Sequence, residues 1–596
     1  MLDSSVKDTK DKLTPFGLAT LQDRYFLPGE DFAGLVNRVA GAYSDNEGHK
    51  NRMIKYISNM WFMPATPILS NGGTNRGLPI SCFVNEVDDS LKSIVDLWVE
   101  NVWLASKGGG IGTYWGSVRS IGEKLFGAGC TSGVIPFLKV VDSMTLAISQ
   151  GSLRRGSAAV YLPVDHPEIL EFVDIRKPTG GDYNRKTLNI HHAVCITDAF
   201  MQAVSKDMDW DLKSPKTGEV ILTTPARGLW MKILSARLEI GEPYLLFIDN
   251  VNNGIPECHQ KLGLKVKTSN LCSEITLPTG IDHLGNNRTA VCCLASLNLE
   301  YFDDWSKDKL IIEDCLRFLD NVLQDFINKA PDSMSKAVYA ANRERSVGLG
   351  VMGFGSYLQK KMTPFESATA TAINIKMFKH IKNGADIASR KLAEEKGPCL
   401  DAKECGLMER FANKTSIAPT ASISIIAGGA SPCVEPYTAN IYTHKTLGGS
   451  FTVVNKYLKE FLKSKNKLTD ETMSSIMANQ GSVAHLDFLS DHEKDVFKTA
   501  YEIDQMWIID HAANRSNLID QAQSVNLFFK GDVHKRDLHR VHFKAWQRGV
   551  KSLYYCRSTA ISRADNVSQQ GDKYSFSTDG VKSSVNRDYD ECLSCQ

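Results

Sequence analysis

The chain has 596 residues, with 69 Lys or Arg against 68 Asp or Glu, so its formal net charge at pH 7 is +1. This balance gives no electrostatic indication of nucleic-acid binding, and a hydrophobic content of 42% is that of a globular protein large enough for several domains or one elaborated barrel. The charged N-terminus lacks the apolar segment of a secretory signal, and no apolar run approaches the roughly 18 residues of a membrane span, so we expect a cytoplasmic protein that contacts no membrane.

In chain order, residues 1–60 are predicted to be mostly helical and polar. From about residue 80 to 440, short β-branched runs such as 193–197 alternate with amphipathic stretches such as 311–329, a pattern typical of an α/β barrel or a layered sheet. Residues 450–550 are predicted to be helical again, most clearly over 495–513.

The most informative segment is residues 270–274, where Asn270, Cys272 and Glu274 occupy alternate positions. In an extended segment alternate side chains share a face, so an amide, a thiol and a carboxylate could converge on one bound molecule. The alternative is that Cys272 is a buried small apolar residue, the commoner fate of a free cysteine.

A second thiol motif, Cys592 and Cys595, lies at the end of a polar C-terminal stretch that we expect to be flexible. Two thiols at this spacing can close a small disulfide and exchange it with another. A zinc site would need two further ligands that the nearby sequence does not offer, and an inert tail is the other alternative. A disordered tether of roughly 25 residues spans about 25–30 Å, enough to carry the dithiol into a cleft.

Two further cysteines stand in suggestive contexts. Cys82 and Cys292 could supply two electrons by forming a disulfide, provided that their Cα atoms lie within about 7 Å. Cys293 would point the opposite way on a strand, so we interpret it as a packing residue. The same interpretation applies to the remaining cysteines: Cys130, Cys195, Cys258, Cys315, Cys399, Cys405, Cys433 and Cys556.

Residues 418–425, Ala-Pro-Thr-Ala-Ser-Ile-Ser-Ile, predict a phosphate-binding helix start. Proline in a first helical turn, among small hydroxyl residues, leaves backbone N–H groups open to an anion. An ordinary capped turn is the alternative.

Two glycine-rich stretches point less clearly to a ligand. Gly348, Gly350 and Gly353 match the dinucleotide fingerprint by letter, but no apolar strand precedes them, so we interpret them as sites of close backbone packing. The stretch 108–112 fits neither that fingerprint nor a phosphate loop, yet it could line a ligand.

Adjacent tyrosines, Tyr554 and Tyr555, lie in an apolar segment. Core packing is the ordinary use of such a pair, and one-electron oxidation is the alternative.

Taken together, these motifs resemble the catalytic large subunit of ribonucleotide reductase, from about residue 60 to the C-terminus. Asn-x-Cys-x-Glu, the two flanking cysteines, Pro-Thr-Ala-Ser-Ile, Tyr-Tyr and the terminal dithiol occur in the family's order. The resemblance implies a ten-stranded α/β barrel over 81–562, with the radical cysteine on a finger loop through its centre. A mostly helical region over 1–80 would precede the barrel, and a flexible tail over 563–596 would follow it.

The resemblance also implies a role for each residue at the barrel centre. Cys272 would carry the thiyl radical that removes the 3′-hydrogen of a ribonucleotide. Glu274 would act as general base on the 3′-hydroxyl, and Asn270 would bind the sugar hydroxyls. Cys82 and Cys292 would reduce the 2′-position and end as a disulfide.

Electrons and the radical would reach this centre by separate routes. Cys592 and Cys595 would re-reduce the internal disulfide and would themselves be reduced by thioredoxin or glutaredoxin. Tyr554 and Tyr555 would relay a radical from a small partner subunit with a dimetal cofactor of Mn or Fe. The chain itself would bind no metal and no cofactor of its own.

The same resemblance implies a homodimer in which each chain has an effector site and a substrate site for nucleotides. Asp89 and Arg119 would grip a deoxynucleoside triphosphate or ATP effector, with a specificity loop over 176–185. The substrate's sugar and phosphates would be held by Thr66, Ser81, Gly110, Thr420, Ala421, Ser422, Ile423 and Ser424.

One departure from many relatives concerns the N-terminal ATP cone. The 81 residues before Cys82 cannot hold both a cone and the helical entry to the barrel, so we expect no activity site and no cone-mediated inhibition by dATP.

Three alternatives to this reading remain. The chain could belong to the adenosylcobalamin-dependent class, which needs no partner. It could also be a nucleotide-binding regulator without catalysis, or a thiol–disulfide oxidoreductase that acts on proteins.

Overall fold

The computed structural model describes residues 12–559, apart from 126, 128, 151–153, 156 and 447–448. Within these residues, no helix is both long enough and apolar enough to cross a bilayer.

The strands in chain order are β1 (Phe62–Pro64), β2 (Cys82–Glu86), β3 (Gly110–Tyr114), β4 (Ser149–Gln150), β5 (Arg154–Arg155), β6 (Ser157–Pro163), β7 (His191–Ile196), β8 (Asp209–Lys213), β9 (Val220–Pro225), β10 (Tyr244–Phe247), β11 (Gly280–Ile281), β12 (Asn287–Arg288), β13 (Ala290–Asn298), β14 (Val347–Met352), β15 (Ile441–Thr446), β16 (Gly449–Val454), β17 (Leu527–Phe529), β18 (Ser552–Leu553) and β19 (Cys556–Ser558). The α-helices are α1 (Pro15–Arg24), α2 (Phe32–Tyr43), α3 (Glu47–Ser58), α4 (Thr66–Asn71), α5 (Leu91–Ser106), α6 (Ile135–Ala147), α7 (Ile169–Phe172), α8 (Asp198–Lys206), α9 (Ala226–Ile240), α10 (Ile248–Asn253), α11 (Glu257–Lys261), α12 (Phe302–Trp305), α13 (Ile311–Lys329), α14 (Ser335–Glu344), α15 (Phe354–Lys360), α16 (Ala368–Lys396), α17 (Leu400–Glu404), α18 (Ala421–Ile426), α19 (Lys456–Ser464), α20 (Asp470–Ala478), α21 (Asp491–Val496), α22 (Gln505–Ser516) and α23 (Lys535–Gln547).

Two sets of parallel strands build the core. In the first half, β2, β3, β6, β7 and β10 pair in that order, each parallel to the next. Helices connect these strands, as parallel pairing requires.

The second half begins with β13 and the parallel strand β14. Residues 413–417 then run parallel to β14, and residues 521–529 run parallel to them, through bridges from Leu349 to Thr415 and from Ile417 to Gln523. Residues 552–558 complete the half, because β17 and β19 pair in parallel.

The two halves meet in antiparallel pairings at both seams. One seam joins β2 to β13, and the other joins β10 to β18. Ten chain segments therefore close into a ring, which confirms the predicted ten-stranded α/β barrel. Strand β1 pairs with β13 outside this ring.

A loop over residues 264–279 enters the barrel. Its backbone lies so close to β3 that a Cβ added at Gly112 would stand 1.8 Å from the carbonyl oxygen of Ser269. The Tyr161 hydroxyl on β6 donates a hydrogen bond of 2.6 Å to the carbonyl oxygen of Asn270. This is the finger loop that the resemblance implied, and Gly112 is required by its close approach.

Local patterns account for most of the surrounding helices. The predicted amphipathic stretch 311–329 coincides with α13, which buries apolar side chains at spacings of three and four residues against β13, β14 and α16. The predicted close packing of the glycines on β14 is confirmed, because a Cβ at Gly350 would lie 2.4 Å from the Ser416 carbonyl oxygen.

The prediction of one helix over 495–513 is wrong. The chain leaves α21 at Val496 and starts α22 at Gln505. Asp504 caps the new helix by accepting from the Met506 N–H, and Lys498 turns away to pair with Glu366 at 2.6 Å. Tertiary ion pairing and a strong N-cap residue outweigh the continuous helical pattern.

Candidate active site

The finger loop brings Asn270 and Glu274 together by a turn. Asn270 Nδ2 donates to Glu274 Oε1 at 2.9 Å, and Asn270 Oδ1 accepts from the backbone N–H groups of Glu274 and Ile275. Ser273 adopts a left-handed conformation with φ of 65°. The expectation of an extended segment is therefore wrong, and the convergence arises because the turn folds the amide back onto the carboxylate.

Cys272 lies at the tip of this turn and is fully buried. The Tyr554 hydroxyl stands 3.4 Å from the Cys272 Sγ atom. Ser524 holds the loop from the opposite side, because its Oγ lies 2.6 Å from the Cys272 carbonyl oxygen and 3.0 Å from Glu274 Oε2. The Cys272 thiol thus faces a phenol, and its backbone is held by the same serine that contacts the Glu274 carboxylate.

Cys82 and Cys292 face each other across the β2–β13 seam as direct partners in an antiparallel pair. Cα atoms in such pairs lie about 4.5–5.5 Å apart, within the reach of a disulfide. Asn270 Nδ2 lies 3.3 Å from Cys82 Sγ, so the pair shares its neighbourhood with the finger loop. Burial, and next the Cys82 thiol, raise the pKa of Cys292 well above its usual range, so Cys292 remains a protonated thiol.

The two adjacent tyrosines form a path of contacting rings away from Cys272. The ring centroids of Tyr554 and Tyr555 are 4.3 Å apart, and Tyr244 on β10 packs against both, at 4.7 and 5.1 Å. Tyr555 is the outer member, with its hydroxyl 3.4 Å from His191 Nδ1. Tyr555 is 9% exposed against 1% for Tyr554, so the tyrosines lead outward from the buried thiol.

Helix α18 carries the predicted phosphate-binding residues Ala421, Ser422, Ile423 and Ser424 in its first turns. Thr420 precedes it in a left-handed conformation, and its hydroxyl accepts the Cys433 N–H at 2.7 Å. The first N–H groups of a helix have no partner within the helix, so this end can receive an anion.

The other predicted substrate residues lie near the dithiol seam or at the helical entry. Gly110 is the register partner of Cys82 on β3, and its N–H donates to the Ser81 carbonyl oxygen at 2.8 Å. Thr66 begins α4 and shares a hydrogen bond of 2.9 Å with the Tyr25 hydroxyl.

The predicted effector residues contact each other just before α5. Arg119 Nη2 lies 2.7 Å from Asp89 Oδ2, and both side chains are mostly buried. Within the predicted specificity loop 176–185, Arg185 pairs with Glu171, whereas Arg176 turns toward Glu242 at 3.6 Å.

Sequence reasoning missed several supporting residues. Gln521 donates to Cys292 Sγ at 3.6 Å, and Ser524 touches the finger loop as described above. Both belong to the stretch 521–524, directly before the mostly apolar segment 525–529, and that adjacency was the available signal. Cys592 and Cys595 lie outside the described residues.

Comparisons with known proteins agree with this geometry. A family model for the ribonucleotide reductase barrel domain matches residues 80–404 and 400–556, and a model for the ribonucleotide reductase all-alpha domain matches residues 11–77. The ribonucleoside-diphosphate reductase large subunit of Invertebrate iridescent virus 3 is 39% identical, over 92% of this chain and 94% of that protein.

More distant relatives extend the same match. The ribonucleoside-diphosphate reductase large subunit of Vaccinia virus (strain Copenhagen) is 32% identical, over 97% of this chain and 81% of that protein. Among solved structures, the class Id ribonucleotide reductase alpha subunit of Actinobacillus ureae superposes with a TM-score of 0.82 at 33% identity, covering 92% of this chain and 98% of that one. The chain therefore belongs to the ribonucleotide reductase family, as a large subunit.

Proposed function

We propose that the chain reduces ribonucleoside diphosphates to 2′-deoxyribonucleoside diphosphates for DNA synthesis by a thiyl-radical mechanism. The observation that carries the proposal is the meeting of three thiols with an amide and a carboxylate in one buried centre. Asn270 touches both Cys82 and Glu274, and Glu274 shares Ser524 with Cys272. The named relatives are ribonucleoside-diphosphate reductases, which supports the diphosphate as substrate.

Each residue type at the barrel centre fits a different step of the proposed reaction. A thiyl radical on Cys272 removes the 3′-hydrogen, while Glu274 takes the 3′-hydroxyl proton and Asn270 orients the sugar. The 2′-hydroxyl leaves as water. Cys82 and Cys292 supply the two electrons and two hydrogens that balance the reaction and become a disulfide, after which Cys272 regains its radical as the 3′-hydrogen returns.

The tyrosines support a radical source outside the chain. Tyr554 contacts Cys272, and Tyr555 continues toward the surface, so a hole could pass from a small partner subunit with a dimetal centre to the thiol. The alternative is adenosylcobalamin as the radical source without a partner.

The two electrons must be restored after each turnover. We propose that Cys592 and Cys595 reduce the internal disulfide by exchange and that thioredoxin or glutaredoxin reduces them in turn. Deoxynucleoside triphosphate or ATP effectors would bind beside Asp89 and Arg119.

Reconstitution tests this function. The chain, its radical-generating partner, thioredoxin, ATP and a ribonucleoside diphosphate should yield the deoxyribonucleoside diphosphate, measured by chromatography. Turnover of the chain alone with adenosylcobalamin would replace this proposal by the partner-independent class. Nucleotide binding without turnover in either mixture would favour a regulator.

A stripe on α5 supports a homodimer. Leu91, Val95, Val99 and Trp103 follow one another at four-residue spacing and are 67%, 42%, 54% and 46% exposed. A contiguous exposed apolar stripe marks an interface, and one helix can meet its own copy about a two-fold axis. The stripe starts two residues after Asp89, which would couple effector binding to the dimer.

Val99→Glu should therefore convert the dimer to a monomer, because two carboxylates would be buried at the contact. The molar mass in solution, measured by light scattering with effector present, checks this. Ile387→Glu is the matched control, since Ile387 is 64% exposed on α16, away from the stripe. An unchanged mass for Val99→Glu would exclude this face as the interface.

A further inference from the structure

The outer tyrosine of the proposed relay has a histidine at its hydroxyl. His191 Nδ1 lies 3.4 Å from the Tyr555 oxygen and 2.5 Å from Glu242 Oε1. The imidazole ring also meets the Tyr555 ring edge-on, with centroids 5.9 Å apart. Tyr554, by contrast, directs its hydroxyl at Cys272, so the two tyrosines have different polar partners.

The charged groups around Glu242 determine which ring nitrogen of His191 carries the hydrogen. Burial alone would raise the pKa of Glu242, but Arg176 and the two histidines His191 and His192 hold it well below its usual range. The carboxylate is therefore ionised, and an ionised oxygen at 2.5 Å favours the tautomer with the hydrogen on His191 Nδ1. Arg176 Nη1 also lies 3.3 Å from this nitrogen, but it donates to the Ile190 carbonyl oxygen at 2.6 Å. The same N–H lies within reach of the Tyr555 oxygen, so it can be shared between the two acceptors.

Glu242 is itself held from several sides. His192 Nδ1 contacts Glu242 Oε2 at 3.1 Å, and Arg176 Nε lies 3.6 Å from the same oxygen. Arg176 also donates to the Ile190 carbonyl oxygen at 2.6 Å, which fixes it to the start of β7. The carboxylate that orients His191 therefore has little freedom to move.

The charged and titratable groups around the Tyr555 hydroxyl come from four elements of the fold. Tyr554 is its chain neighbour, and the Arg557 guanidinium lies 5.2 Å from the centre of the Tyr555 ring. The others are His191 on β7, Glu242 and Tyr244 at the start of β10, and Arg176 before β7. Among these described groups, His191 contacts both the ionised Glu242 carboxylate and the Tyr555 oxygen. Its ring therefore links the carboxylate to the phenol.

We propose that His191, oriented by Glu242, is a positioning residue that donates a hydrogen bond to the Tyr555 oxygen and holds this tyrosine for radical transfer. The inference rests on the proposed function, since it assigns a task in that relay. The partner's radical takes a hydrogen atom, that is one electron with the phenolic proton, from Tyr555 and is itself reduced, and the Tyr555 radical then takes the hydrogen atom of the Tyr554 hydroxyl. His191 already carries its hydrogen on Nδ1 and accepts no proton, so the hydrogen bond to the Tyr555 oxygen persists in the radical.

A spectroscopic test detects the contact with His191 still in place and then removes it. Tyr555 is replaced by 3-aminotyrosine, which oxidises more easily and traps the radical, in enzyme whose histidines carry ¹⁵N. After mixing with the radical-generating partner, substrate and ATP, pulsed electron–nuclear double resonance should detect a ¹⁵N coupling to the radical at 555. The coupling should vanish in His191→Gln and persist in His192→Gln, because His192 contacts the same glutamate without touching Tyr555.

Turnover supplies the second readout. His191→Leu should lower kcat about tenfold or more with KM for the nucleotide unchanged, since a hydrogen bond to a reacting centre is lost while the substrate site is intact. His191→Gln retains an N–H donor and should recover most of that loss. Melting temperatures of the three variants separate loss of fold from loss of transfer.

The outcomes separate the two proposals. A radical at 555 without ¹⁵N coupling, or His191→Leu at wild-type kcat, overturns the role of His191 and leaves the relay intact. Product formation with no radical ever trapped at 555 overturns the relay and this inference together.

Discussion

Cys272→Ser is expected to abolish nucleotide reduction with every reductant. Serine has nearly the same shape, so the finger loop should keep its turn and its contacts with Ser524. An alkyl O–H bond is much stronger than S–H, however, so Tyr554 cannot generate an oxygen radical at this position. Removal of the atom that performs hydrogen abstraction should lower turnover by at least about 10⁴-fold.

Two measurements make this result specific. Calorimetry should show unchanged binding of the ribonucleoside diphosphate to Cys272→Ser. Cys293→Ser is the matched control, because Cys293 is an equally buried thiol beside the dithiol seam and should retain turnover. Appreciable product from Cys272→Ser would exclude Cys272 as the radical carrier.

The double change Cys592→Ser and Cys595→Ser is expected to separate two ways of supplying electrons. Cys82 and Cys292 are fully buried in the barrel, so a protein reductant cannot approach their disulfide, whereas a small dithiol can diffuse in. Thioredoxin-driven turnover should fall about a hundredfold or more, and turnover with dithiothreitol should stay within about threefold of wild type.

Cys82→Ser is the contrasting variant for this experiment. It removes one member of the internal pair, so turnover should be lost with thioredoxin and with dithiothreitol alike. If the tail variant also lost activity equally in both assays, the shuttle role of Cys592 and Cys595 would be excluded.

The sequence motifs predicted which side chains lie together at the barrel centre more reliably than they predicted the geometry of those contacts. Asn270 and Glu274 do meet, but through a left-handed turn at Ser273 that no alternating pattern indicates, and the Cys272 thiol faces Tyr554. Cys82 and Cys292 are far apart in the chain, and only the pairing of β2 with β13 makes them partners. Such register depends on the whole barrel and cannot be read from either segment alone.

Residues that position other side chains could hardly be predicted from the sequence. Ser524 and Gln521 touch the finger loop and the dithiol only because residues 521–529 join the second half of the barrel through the Ile417–Gln523 bridge and the β17–β19 pair. His191 begins β7, two residues before the β-branched run 193–197, and its proposed task depends on Glu242, which lies two residues before β10. Local sequence propensity indicates the strands that carry these residues. The contacts of Ser524, Gln521 and His191 arise only when the barrel closes.

Because of the seam between the two half-barrels, the stability of the barrel would change during each proposed catalytic cycle. Cys82 and Cys292 stand on opposite sides of that seam, so each turnover would tie the halves together covalently. The ring so closed spans about 210 residues, and a cross-link of that length is worth about 5 kcal/mol against unfolding in the chain-entropy model. The oxidised enzyme, with its disulfide closed, would thus be more stable against unfolding than the reduced enzyme. Each reduction of the disulfide would restore activity and remove this added stability.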